Sequence, residues 1–167
     1  VKIINGIGGK GSSLHLPDGV ENISRNAFFN QTSLKGALNL PNSIKVIEPY
    51  AFYNTGFSHI KFPENLTLID ECSFAFNGLL QDTLTIPASV KQINRSAFLQ
   101  CRQITAIVLP PDLETIQETA FGGCYSVNYI RCMSKVPPVL QSSYRVFSGI
   151  NKENVIVVVP EGCVDAY

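Results

Sequence analysis

The chain has 167 residues, 45% of them hydrophobic and 16% charged, with 13 basic and 13 acidic side chains. Balanced charge without a basic or acidic run leaves no electrostatic footprint for nucleic acid, and no apolar stretch nears the ~20 residues of a membrane-spanning helix. Five cysteines are too few for a disulfide scaffold, and the odd number leaves at least one thiol free.

Two markers recur in phase along the chain. An apolar residue followed by proline stands at Leu16-Pro17, Leu40-Pro41, Phe62-Pro63, Ile86-Pro87 and Leu109-Pro110. An Ala/Ser-Phe step stands at Ala27-Phe28, Ala51-Phe52, Ser73-Phe74, Ala97-Phe98 and Ala120-Phe121. Successive prolines lie 24, 22, 24 and 23 residues apart, and the phenylalanines keep the same intervals. A shared period of this length is the mark of a solenoid, in which each repeat buries its apolar face only by stacking on its neighbours.

In chain order, Gly6 to Gly11 lacks the complete spacing of a phosphate loop and the helix that should follow, so it reads as a lead-in to the first strand. The first unit then brings His15 and Leu16 into an expected strand. The 24-residue second unit holds Leu34-Lys35-Gly36-Ala37-Leu38, where the extra residue predicts a β-bulge. The fifth unit shows the template most clearly. Ile107 and Leu109 alternate inward, and Pro110, with no N–H to donate, ends the strand at a turn. Leu113 and Ile116 make a second apolar contact on the opposite side of the coil, Phe121 fills the middle, and the chain turns at Gly122-Gly123. Three residues after each proline stand Val20, Ile44, Leu66, Val90 and Leu113, and six after it Ile23, Ile47, Ile69, Ile93 and Ile116. Such columns suit side chains packing one rung apart.

Cys101 and Cys124 share a column with Asn77 and, less closely, Asn54. Cys132 falls in the inward strand column and Cys163 in the column of Val20 to Leu113. All four read as buried structural thiols, with a Cys101–Cys124 bridge between adjacent rungs as the alternative. Residues 134–154 read as an irregular segment before a final rung at 155–167. The whole chain, 1–167, reads as one domain with repeats over about 12–133.

The pattern L-x-x-I-x-L-P-x-x-L-x-x-I-x-x-x-A-F-x-x-C, from about Leu14 to Cys132, resembles the BspA-like leucine-rich repeats of bacterial surface and secreted proteins. The end, from Val158-Val159-Pro160-Glu161-Gly162 to Ala166-Tyr167, is similar to the closing unit of such arrays. In the family that unit is usually followed by a short helix with a tryptophan, whereas this sequence stops at Tyr167. The resemblance implies an α/β leucine-rich-repeat solenoid, strand-rich and right-handed, with a parallel concave sheet and turns or short helical segments on the convex side. It also implies an extracellular or surface-attached setting and a role in adhesion, with a host or matrix protein, or a glycan, as partner.

The concave face is the expected site, because solenoids bind on such extended surfaces. Its outward positions form two rows. One runs Ser13, Ala37, His59, Thr83, Ala106, Tyr129, Ile156, and the other His15, Asn39, Lys61, Thr85, Val108, Arg131, Val158. The candidate ligand contacts are His59, Lys61, Asp82, Thr85, Val108, Asn128, Tyr129 and Arg131, with Tyr129 as the ring able to stack on a sugar. The two histidines lie about 10 Å apart by strand spacing, too far to share a metal, and no C-x-x-C pair exists. A nucleophile beside His59 finds no neighbouring concave carboxylate except Asp82. Neither catalytic residues nor a cofactor are expected. A surface or secreted recognition module is the leading reading; a structural spacer or a carbohydrate-binding accessory of polysaccharide uptake are the alternatives.

Overall fold

The computed structural model describes residues 13–167 and the backbone of Lys2–Ile4. The glycine-rich stretch Gly6 to Gly11 lies outside the described residues. Numbered in chain order, the strands are β1 (Lys2–Ile4), β2 (Val20–Ile23), β3 (Lys35–Asn39), β4 (Val46–Ile47), β5 (Gly56–Lys61), β6 (Leu68–Ile69) and β7 (Gln81–Thr85). There follow β8 (Gln92–Ile93), β9 (Gln103–Leu109), β10 (Thr115–Ile116), β11 (Tyr129–Cys132), β12 (Val139–Leu140) and β13 (Ile156–Val158). The one described α-helix, α1, is a single turn at Ser143–Val146.

The chain winds as a parallel-strand solenoid with three stitched sides. The longer odd-numbered strands line the concave side, in a four-stranded sheet β13-β11-β9-β7 and a two-stranded sheet β3-β5. The short strands form a second, seven-stranded parallel sheet, β1-β2-β4-β6-β8-β10-β12. What the sequence shows only as an apolar contact after each proline is therefore a continuous sheet. Between the two, the proline carbonyl accepts the N–H three residues on, as in Ile44 to Pro41 at 3.0 Å and Val90 to Pro87 at 3.1 Å. That β-turn swings the chain from one sheet to the other.

The third side is the phenylalanine turn. Each phenylalanine N–H donates to a carbonyl of the following rung: Phe28 to Ala51, Phe52 to Ser73, Phe74 to Ala97, Phe98 to Ala120 and Phe121 to Val146. Tight stacking of turns needs left-handed backbone two residues before the ring, at Asn26, Tyr50, Cys72, Ser96 and Thr119. It recurs two residues after the ring, at Asn30, Asn54, Phe76, Gln100, Gly123 and Gly149. The rings then pile into one spine. Phe28, Phe52, Phe74, Phe98, Phe121 and Phe147 follow at centroid spacings of 5.0, 5.2, 5.6, 5.6 and 5.6 Å, with adjacent planes within 13°. Around them Ile23, Ile47, Ile69, Ile93 and Ile116 are fully buried.

Several expectations are corrected. Ser13 to Pro17 carries no strand. The stretch 134–154 is not irregular throughout: β12 pairs with β10, and Phe147 extends the spine. The buried column partner of Asn77 is Thr55, because it stands three residues after Phe52; Asn54 is half-exposed and its amide donates to Asn30 at 2.9 Å. Cys101, Cys124 and Cys132 are buried, but Cys163 lies only half-buried beyond the last complete rung. All five thiols are free. Those of Cys101 and Cys124 donate to the carbonyls of Phe74 and Phe98 at 3.2 and 3.3 Å, each on the preceding rung rather than toward one another.

Candidate functional site

Strand register fixes what the concave face displays. Across the four-stranded sheet, Thr83, Ala106, Tyr129 and Ile156 are successive partners, as are Thr85, Val108, Arg131 and Val158. In the two-stranded sheet Ala37 pairs with His59 and Asn39 with Lys61. Alternation along a strand puts both rows on one face, above the buried row of Leu84, Ile107 and Ile130.

The candidate residues do not form one site. Lys61, Thr85 and Val108 converge, with Thr83, on a groove of about 760 Å³ that continues under Met133, Pro110 and Pro111 at the ends of the strands. Tyr129 and Arg131 lie on the next strand, outside that groove. Tyr129 is half-buried beside Ala106 and Ile156, while Arg131 is exposed. Asn128 belongs to the ladder through its backbone: its N–H donates to the Thr105 carbonyl, and its carbonyl accepts from Ile156. Thr83 and Met133 were not among the candidates. Thr83 was readable from its row; Met133 was not, because it occupies the place of the repeat proline and breaks that pattern.

His59 and Asp82 meet at the other end of the strands. His59 Nε2 is 3.0 Å from Asp82 Oδ2 and 3.3 Å from the Gln81 amide, and Nδ1 is 2.9 Å from the Ser58 hydroxyl. Serine, histidine and aspartate thus stand in a hydrogen-bonded chain. The Ser58 hydroxyl, however, is also 3.2 Å from the Gly36 carbonyl, to which it donates. The side chains of His59 and Asp82 are 47% and 69% open to water. A carboxylate so solvated is no buried orienting anion, and the open sheet does not enclose a substrate away from water. What the chain of contacts does is bridge β5 and β7, between which the concave sheet is interrupted.

Among the described residues no three His, Cys, Asp or Glu side chains converge to hold a metal ion. No described helix is long and apolar enough to cross a membrane.

Toward the C-terminus the face turns apolar. Val108 and Tyr129 are half-buried, and Ile156, Val157 and Val158 on the outermost strand are exposed. β13 is one of the two edge strands of the four-stranded sheet, β7 the other.

The geometry agrees with what the chain is similar to. Among solved structures, a leucine-rich repeat protein of T. pallidum aligns at 24% identity over 78% of each chain, with a TM-score of 0.64. A leucine-rich repeat protein from Bacteroides ovatus aligns at 12% identity over 96% of this chain and 71% of that one, with a TM-score of 0.33. None of the curated proteins compared with the chain matches it. The BspA type leucine rich repeat region matches in 6 copies, over residues 9–128 and 75–156. With the repeat motif, the three stitched sides and that match over most of its length, the chain belongs to the BspA-type leucine-rich-repeat family.

Proposed function

We propose that this protein is a non-catalytic recognition module, secreted or displayed on a cell surface, that binds a protein or a glycan through its concave face. The observation that carries the reading is the groove where Lys61, Thr83, Thr85 and Val108 converge. Its lining offers one cation, one carboxylate at Glu64, the Asn65 amide, two hydroxyls and an apolar floor, the mixture that a polar partner with some apolar surface requires. Their backbone is held in hydrogen-bonded strands, so docking spends side-chain but little backbone ordering entropy. The setting outside the cell, and the choice of host or matrix proteins and glycans as partners, rest on the family resemblance. The exposed Ser58–His59–Asp82 chain favours a bridging role over a catalytic one, for the reasons given above.

The test is a binding screen of the purified chain against extracellular-matrix proteins and a glycan array. It runs beside a Lys61→Ala/Thr85→Ala double variant and a Tyr129→Ala/Arg131→Ala double variant. A saturable hit weakened about tenfold or more, roughly 1.4 kcal/mol, by the first pair places the partner in the groove. Loss only with the second pair moves the site to the C-terminal part of the same face. Absence of any hit in both panels favours the spacer reading, for which the unbroken six-ring spine is the supporting observation.

A further inference from the structure

Two residues on one flank of the coil are not explained by the needs of the fold. Two positions after each spine ring the backbone is left-handed, and that column reads Asn30, Asn54, Phe76, Gln100, Gly123 and Gly149. Such backbone suits asparagine and glycine and strains a bulky residue. Phe76 nevertheless holds it, at φ 62°, and is 42% exposed, so core packing does not account for the ring. The second residue is Gly78, whose backbone is not left-handed and where nothing lies within 4 Å of the place a Cβ would take. It stands in the column Thr32, Gly56, Gly78 and Arg102, four positions after each ring. The two glycines leave a groove of about 440 Å³ between Thr32 and Arg102, walled by Asn54, Phe76 and Leu79. Four rungs contribute to it, so it runs for about 14 Å along the stack.

Arg102 is the one charged side chain among the described residues of that lining. Its guanidinium is held from two sides: Nε donates to Gln100 Oε1 at 2.9 Å, and the group lies over the Tyr125 ring, 5.9 Å from its centroid. Among the described residues it makes no ion pair, and both terminal nitrogens lack a protein partner. Tyr53 packs on Phe76 at 5.2 Å, and no other ring among the described residues touches it. Between ring and threonine, the Asn54 amide donates to Asn30 and leaves its own oxygen open.

We propose that this flank groove binds an acidic saccharide, a short run of hexuronate units. The apolar face of one pyranose ring lies on Phe76 and Leu79, and its carboxylate takes two N–H donors from Arg102. Hydroxyls of the neighbouring units meet Asn54 and Thr32. The exposed ring calls for a ring ligand, the unpaired guanidinium for a carboxylate, and the neutral polar groups for hydroxyls. The groove opens at Gly56, where β5 begins, whereas the concave groove lies at Lys61, where β5 ends, and the two share no lining residue. Either site can therefore fail without the other.

The experiment is calorimetric titration of the full chain with oligosaccharides of galacturonate, mannuronate and glucuronate. The methyl ester of each serves as its neutral counterpart, and triglutamate as an acid without a sugar ring. Saturable one-to-one binding of at least one uronate is expected, several-fold tighter than its ester and than triglutamate. Arg102→Gln should abolish the preference of acid over ester. Phe76→Asn, which restores the residue of Asn30 and Asn54, should weaken the uronate by about tenfold or more with the fold intact by circular dichroism. Gly78→Leu, which places a side chain in the groove, should weaken it as much and carries the test if Phe76→Asn does not fold. Arg25→Ala, at an exposed arginine outside the groove, should change nothing. The proposal is overturned if no uronate gives saturable heat, or if the ester binds as tightly as the acid. Triglutamate binding as tightly would instead make the site one for acidic peptides. Affinity that survives the folded Phe76 or Gly78 variant would equally sink it.

Discussion

Just before the first five spine rings the chain carries Ala27, Ala51, Ser73, Ala97 and Ala120, and among these the serine is the odd member. Its hydroxyl is fully buried and has no hydrogen-bond partner. A buried, unsatisfied polar group costs about 1–3 kcal/mol, and removing it together with its oxygen leaves almost no void. Ser73→Ala is therefore expected to stabilise the protein by about 1 kcal/mol, raising Tm by about 2–4 °C for a chain of this size. A lower Tm in differential scanning calorimetry would contradict this. The buried cysteines act on stability through pH instead. Burial pushes the Cys124 thiol up to about 12 and Cys101 well above its ordinary value of 9.0. The native state keeps these protons where the unfolded chain gives them up, so their contribution is complete below pH 9 and is lost as pH rises toward 12. Urea midpoints should fall over that window, and Cys101→Ala/Cys124→Ala should reduce the slope. Tyr50 and Tyr167, also raised, leave part of it in place.

At the scale of the element, the bulges show how far the sequence could be read. The two 24-residue units announce an extra residue, and each places a left-handed residue in its strand, Gly36 in β3 and Asp82 in β7. The ladder steps at those points, between Gly36 and Ala37 and between Asp82 and Thr83. What spacing could not tell is which residue is passed over. It belongs to the following strand each time, Ser58 in β5 and Thr105 in β9. Both are hydroxyl residues, and both donate to the carbonyl of the left-handed residue, Ser58 to Gly36 at 3.2 Å and Thr105 to Asp82 at 3.3 Å. A step in the ladder strands a carbonyl, and the hydroxyl satisfies it. The same limit applies to the face. Alternation made both outward rows legible, because side-chain direction is a local property of a strand. The groove depends on where turns from different rungs end, so Met133 and the proline walls were hidden.

At the scale of the molecule, stacked repeats draw stability from nearest-neighbour contacts, so an interruption in one side must be carried by the others. The concave sheet is interrupted between β5 and β7. Across that seam the second sheet contributes only the Ile69–Ile93 pairing of β6 with β8. The exposed His59–Asp82 contact is worth little in water. The weight falls on the spine. Phe74 stacks on Phe52 at 5.2 Å and Phe98 at 5.6 Å, and Phe62 meets it edge-on at 5.4 Å. Phe74→Ala should cost about 3–5 kcal/mol, as for other buried aromatic truncations, and should uncouple the rungs on either side. Hydrogen exchange should then show Ile47 and Ile116 exchanging with different opening energies, and chemical unfolding should split into two transitions. Phe147→Ala, at the last spine ring among the described residues, should cost less and leave a single transition. Equal costs and one transition in both variants would mean that the seam is no weaker than any other joint, and that cooperativity runs through the backbone ladders rather than through the rings.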